Sequence, residues 1–194
     1  MARHIEYDPT ALKQNLLSIF WEQGYAETSL SDLEIATGLN RRQLYNGLGD
    51  KRSMFLQALD DFSDVAGREF LAKLEAADAG LKDIEALLMT FVGMVRDGTS
   101  GKGCMVCSTS QEEIASDQDV KTRIDAYFER IRAAYENALT RAVIRGELTL
   151  QPTDIAGRAE ALFGIHVALC VLGRAGRPHD QLERMVRQAL DDVF

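Results

Sequence analysis

The chain has 194 residues, 46% of them hydrophobic and 27% charged, which is enough apolar material for a core without disulfides. Met1–Tyr7 has no apolar run behind its charges, and the longest apolar stretch, Ala161–Gly173, contains His166 and is too short for a bilayer. The sequence therefore predicts a cytoplasmic protein with no membrane partner, whose Cys104, Cys107 and Cys170 stay reduced, and the net charge of −8 excludes a chain that coats nucleic acid nonspecifically.

Residues 1–52 carry six Lys/Arg against seven Asp/Glu, and four of those six cations fall between Arg41 and Arg52. A basic spot on an acidic body fits contact with DNA over a small, oriented surface. Leu12, Leu16, Ile19 and Phe20 recur at helical spacing and predict a helix over 10–24, stopped by Gly24. Ser29 and Asp32 have the form of a capping box, and the short helix they open ends near Gly38. Asn40, with Gln43 at the reciprocal position, caps a second short helix anchored by Leu44 and Tyr45 and broken by Gly47 and Gly49. Asp50 starts a further helix with Met54, Phe55, Ala58, Leu59 and Phe62 on one side. Two short helices joined by a glycine turn bury little alone, so the first helix is expected to pack across both as a tri-helical helix-turn-helix.

Beyond Phe62 the pattern stays helical. Ala79-Gly80 breaks it, Leu81–Arg96 resumes it, and Asp97–Gly103 is a loop. A short apolar helix is expected from Cys104 to Ala115. A long one follows through Arg145, with a stripe of Ile124, Phe128, Ile131, Tyr135, Ala138 and Ala142. Gln151-Pro152 opens a helix to Leu172 that is apolar on most sides after Ala161, and Asp180–Val193 is amphipathic. With no alternating strand pattern, the fold class is all-α.

The run from Leu17 through Phe20, Gly24, Thr28, Ser29, Leu30 and Leu33, then Ala36-Thr37-Gly38-Leu39-Asn40 through Tyr45, and Gly49-Asp50-Lys51 to Phe55, resembles the TetR/AcrR family of regulators. The resemblance implies a DNA-binding helix-turn-helix domain over 1–52 and a helical ligand-binding and dimerisation domain over 53–194. A recognition helix presents polar side chains to the major groove, and Arg41, Arg42, Gln43 and Asn46 are such residues. Thr28 and Ser29 at one helix start, Asn40 at another, Lys51 at a third and the Tyr45 hydroxyl are placed for the DNA backbone. Three positions depart from the family pattern. Glu34 stands where a small alanine is usual, Leu48 stands where Phe is common, and only Arg3 and His4 form a basic arm.

The resemblance further implies a homodimer formed by the last two long helices, reading palindromic half-sites about 34–36 Å apart. It also implies a small-molecule effector held among the central helices. Apolar bulk with a few polar groups makes Phe62, Phe91, Met94, Cys104, Cys107, Tyr127, Phe128, Ile131, Tyr135, Phe163 and His166 the candidate ligand contacts, although side chains at helical spacing are more often plain core. Cys104 and Cys107, three apart after Gly103, read either as thiols that respond to electrophiles or oxidants or as small buried hydrophobes. His4, His166, His179 and the cysteines have no metal-ligand spacing, and no cofactor motif or nucleophile–base pair suggests an enzyme. The expected function is a repressor released from operator DNA by a small organic molecule. An activator and a helical module without DNA binding are the alternatives.

Overall fold

A computed structural model describes residues 8–99 and 101–193. The arm residues Arg3 and His4 lie outside the described residues. Every regular element among those described is helical, so the all-α expectation holds.

Helix α1 (Pro9–Glu27) starts where Asp8 accepts the Thr10 amide at 2.9 Å and Pro9 fills the first turn, a position that needs no N–H. Its regular geometry breaks at Gly24 (φ 79°), and one last turn follows. Helices α2 (Leu30–Thr37) and α3 (Arg41–Leu48) each carry a complete capping box, Ser29 with Asp32 and Asn40 with Gln43. Leu16, Phe20, Leu33, Leu39 and Leu44 form the buried seam that holds α2 and α3 on α1. Phe20 meets Phe55 edge to face at 5.2 Å, the kind of packed aromatic pair whose truncation costs about 3–5 kcal/mol. Gly47 does not end α3, contrary to the sequence reading. Leu44 and Leu48 are one helical turn apart against the core, so the helix runs on to Gly49 (φ 86°).

Helix α4 (Lys51–Ala66) leaves this unit on the Asp50 cap and buries Met54, Phe55, Ala58, Leu59 and Phe62 as read from sequence. A π-helical turn, Gly67–Leu71, carries it into α5 (Ala72–Glu75). Then come α6 (Leu81–Arg96), α7 (Met105–Thr109), α8 (Gln118–Ile144), α9 (Pro152–Arg174) and α10 (His179–Val193). The helix expected over Cys104–Ala115 stops at Thr109 and resumes only as a 3₁₀ turn, Glu113–Ser116. Side chains end it, because Ser110 Oγ and the Gln111 amide both donate to the Cys107 carbonyl, at 2.8 and 3.0 Å.

Helices α8 and α9 pack along each other, α6 and α10 cover one side, and α4 with α5 lies along α8. Three forked Arg–carboxylate pairs fix that last alignment: Arg52 with Asp117, Arg123 with Asp60, and Arg130 with Glu75. Helix α9 is long and apolar enough to cross a membrane by composition, yet only 22% of its most apolar window is buried within the chain.

Candidate DNA-reading edge and ligand cavity

Capping sets the polar edge of α3. The Asn40 side chain accepts the Gln43 amide and the Gln43 side chain accepts the Asn40 amide, both at 3.0 Å, so these two residues are committed to holding the helix start. Glu34 accepts the Arg41 amide at 2.6 Å. The departure from alanine is thus a third cap, tying α2 to α3 and placing a carboxylate at the N-terminus of the exposed helix. Arg41, Arg42, Tyr45 and Asn46 are exposed, and none has a side-chain partner among the described residues. Lys51, in the first turn of the next helix, lies with its ammonium 4.4 Å over the Tyr25 ring. Ser29 is exposed and binds Asp32, whose pKa it lowers through side-chain and backbone hydrogen bonds. Thr28 differs from the expectation for a phosphate-binding hydroxyl. It is 0% exposed and donates to the Gly24 carbonyl at 2.6 Å, closing the break in α1.

Side chains from the rest of the chain grip this unit. Glu112 accepts the Tyr25 and Ala26 amides, at 2.9 and 3.1 Å, which the break at Gly24 has left without helical partners. A Cβ at Gly24 would sit 2.8 Å from that carboxylate, so the position needs glycine for both its φ and its space. Arg52 forks onto Asp117 at 2.8 Å twice and reaches Asp119 at 2.6 Å. The Arg52 hydrogen bonds hold Asp117 down to about 2.

A cavity of about 390 Å³ lies between α1, α4, α6, α8 and α9. Phe62, Phe91, Met94, Cys104, Tyr127 and His166, all expected contacts, line it. Phe128 and Phe163 pack on each other at 5.4 Å, and Ile131 and Tyr135 are core, so these four are not in its wall. Cys107 lines a second hollow of about 510 Å³ between the end of α1, α7 and α9, with Cys104 and Cys170 in the wall of both. The three thiols perturb one another, so that Cys104 is lowered while Cys107 and Cys170 are raised. All but Cys170 are fully buried.

Sequence reasoning missed Trp21 as a wall residue. Its ring meets Phe62 edge to face at 5.1 Å, and Nε1 donates to the Gly103 carbonyl at 3.0 Å. Gly103 (φ 63°) leaves no room for a side chain, since a Cβ there would lie 3.2 Å from the Cys170 carbonyl. Helix α1 therefore reaches from the N-terminal three-helix unit into the cavity wall. The π turn contributes Glu69 and Phe70 to the wall, a use of that rare geometry no periodicity reveals. His166 is 3% exposed, burial holds it down to about 4, and its Nδ1 lies 3.1 Å from the Tyr135 hydroxyl.

The fold is that of a helix-turn-helix regulator with an all-helical body. The family model for the tetracyclin repressor-like C-terminal domain matches residues 80–189, more than half of the chain, and the chain belongs to the TetR family of transcriptional regulators. Over 98% of both chains it is 27% identical to the HTH-type transcriptional regulator YezE of Bacillus subtilis. It is 23% identical to the HTH-type transcriptional repressor ComR of Escherichia coli, covering 95% of this chain and 88% of that one. A cysteine mutant of the TetR family transcriptional regulator CifR, solved in complex with 26 bp double-strand operator DNA, superposes with a TM-score of 0.85 at 23% identity, over 97% of this chain and 98% of that one.

Proposed function

We propose that the chain is a ligand-responsive repressor, in which residues 1–52 bind a palindromic operator and residues 53–194 hold an effector and pair with a second copy. The observation that carries this reading is the edge of α3. Arg41, Arg42, Tyr45 and Asn46 stand in water without partners on a helix whose start is capped three times over. Groups held rigidly and left unsatisfied are suited to a base edge or a phosphate. Ser29 and Lys51 flank the edge and would meet the backbone.

Dimerisation is supported by the open apolar side of α9 and by Gly157 and Gly164 on it, since no atom of the chain comes within 4 Å of a Cβ built at either. Glycine in mid-helix costs about 1 kcal/mol against alanine. A second helix approaching closely offsets that loss, as nothing within one copy does.

Release follows from the shared wall. Trp21 of α1 and Phe62 of α4 touch across the cavity rim, so an occupant favours one setting of these two helices, and hence one spacing of the two α3 edges in a dimer. The test is a gel shift with the DNA flanking the gene. A discrete complex is expected, lost by at least about a hundredfold in Arg41→Ala/Arg42→Ala at unchanged melting temperature. A double variant that binds as the parent does would end this reading.

A further inference from the structure

The effector site described above has a polarity that names a class of ligand, an inference that rests on the proposed function only for what binding does. Most of the cavity wall is aromatic or aliphatic, and its ionic groups are at the rim. Glu69 is exposed, and the Lys102 ammonium is turned to Ser18 Oγ at 3.0 Å and Glu22 at 3.8 Å. Among the other polar groups of the wall, Trp21 Nε1 donates to the Gly103 carbonyl and Thr99 Oγ1 to the Met94 carbonyl, while the buried Tyr127 hydroxyl can turn its proton or its lone pairs to an occupant.

His166 differs in that its donor is fixed by its neighbour. Tyr135 is 0% exposed, and among the described residues its hydroxyl has no acceptor besides His166 Nδ1. A buried hydroxyl proton without an acceptor is costly, so Tyr135 donates and Nδ1 accepts. The neutral ring then carries its proton on Nε2, a donor at the cavity wall with no partner among the described residues. Phe91 lies 4.7 Å from the same ring and gives an apolar face beside that donor.

We propose that the cavity binds an uncharged compound of one or two rings that presents a hydrogen-bond acceptor, such as a ketone or ether oxygen, to Nε2–H of His166. An ion of either sign would exchange water for this wall at large cost, whereas a lone acceptor meets its complement.

Four probes built on the same pair of phenyl rings test this: benzophenone, diphenylmethane, the diphenylacetate anion and the benzhydrylammonium cation. Affinity is read by calorimetry on the full chain without DNA, and occupancy by the emission of Trp21, the single tryptophan. Benzophenone is expected to bind about two- to tenfold more tightly than diphenylmethane, the worth of one hydrogen bond, and at least about tenfold more tightly than either ion. In His166→Phe, checked for helix content and melting, the preference for the ketone falls to unity. In Tyr135→Phe, which frees the ring to hold its proton on either nitrogen, it shrinks while diphenylmethane binds as before. Equal affinity for ketone and hydrocarbon, an ion binding as tightly as the ketone, a preference that survives in His166→Phe, or no heat and no emission change with any probe overturns the proposal. Ketone binding that leaves the operator complex intact would instead count against effector-driven release and leave the ligand class standing.

Discussion

The two candidate sites of the chain are built by opposite means. At α3 the side chains that matter are exposed, and what defines them is local: a cap three residues away, a glycine turn, a leucine one turn on. At the cavity they are buried, and what defines them is distant. Trp21 meets Gly103, Tyr135 meets His166, and Glu112 meets the end of α1. A surface that must read a rigid partner gains from stiffness built in before the partner arrives. A cavity that must report its contents gains from walls supplied by several elements, because only then does filling it change how those elements sit.

Helix α9 belongs to neither scheme and gives the sharpest way to break the comparison. Its open face is apolar and carries Gly164, where an added Cβ touches nothing in the chain. In a lone copy Gly164→Ala would raise stability by about 1 kcal/mol. If two copies meet there, Gly164→Phe holds the helices apart, and sedimentation should show monomers at concentrations about a hundredfold above those at which the parent still pairs. The helix content and the cavity stay as they were. A Phe variant that sediments like the parent would move the second copy elsewhere and leave the glycine unexplained.

How much of this was legible follows the same division. Both capping boxes and the apolar anchor Leu44 could be read, because their partners lie within one turn, whereas Tyr45, read as a second anchor, stands 44% exposed. Thr28 shows the limit even there. A hydroxyl at a helix boundary fits a phosphate or a carbonyl four residues back equally well, and only the break at Gly24 decides for the carbonyl. At the cavity, periodicity shows which side of a helix faces inward but not whether it meets a void. Tyr127 and Tyr135 both face in from α8, yet one lines the cavity and the other supports His166 from behind. Arg52 reads as one more cation of the basic spot. Its pairing with Asp117, 65 residues away, has no trace in either local sequence.

The buried region should also show in acid. His166 is held down to about 4, first by burial, while an unfolded chain takes up that proton near the ordinary value of about 6.5. Between those values the unfolded state binds more protons, so stability falls as pH falls. The loss is on the order of 3 kcal/mol by about pH 4. The groups beside the ring are Tyr135 and Cys104, with no carboxylate among them to rescue the imidazolium. Urea melts from about pH 7 to pH 4 check this. The parent minus His166→Phe difference isolates the term from the carboxylates that titrate in the same range. A constant difference across that range would mean that the ring takes up its proton in place.

The smallest effect lies at α3 and has two signs. Glu34 accepts the Arg41 amide and sets a carboxylate where the helix N-terminus would otherwise attract a phosphate. Glu34→Ala removes a cap, so the melting free energy should drop by about 1 kcal/mol. It also removes a like charge facing the DNA backbone, so operator affinity should rise about two- to fivefold at low salt, with the gain shrinking as salt is added. Glu34→Gln keeps an acceptor for the amide and should show the affinity gain with less of the stability loss. Should Glu34→Ala bind more weakly in step with its lost stability, the α3 edge depends on α2 for its form. The contrast between a locally built reading edge and a collectively built cavity would then fail at its simpler end, since two capping boxes alone would not be enough to hold Arg41 and Arg42 in place.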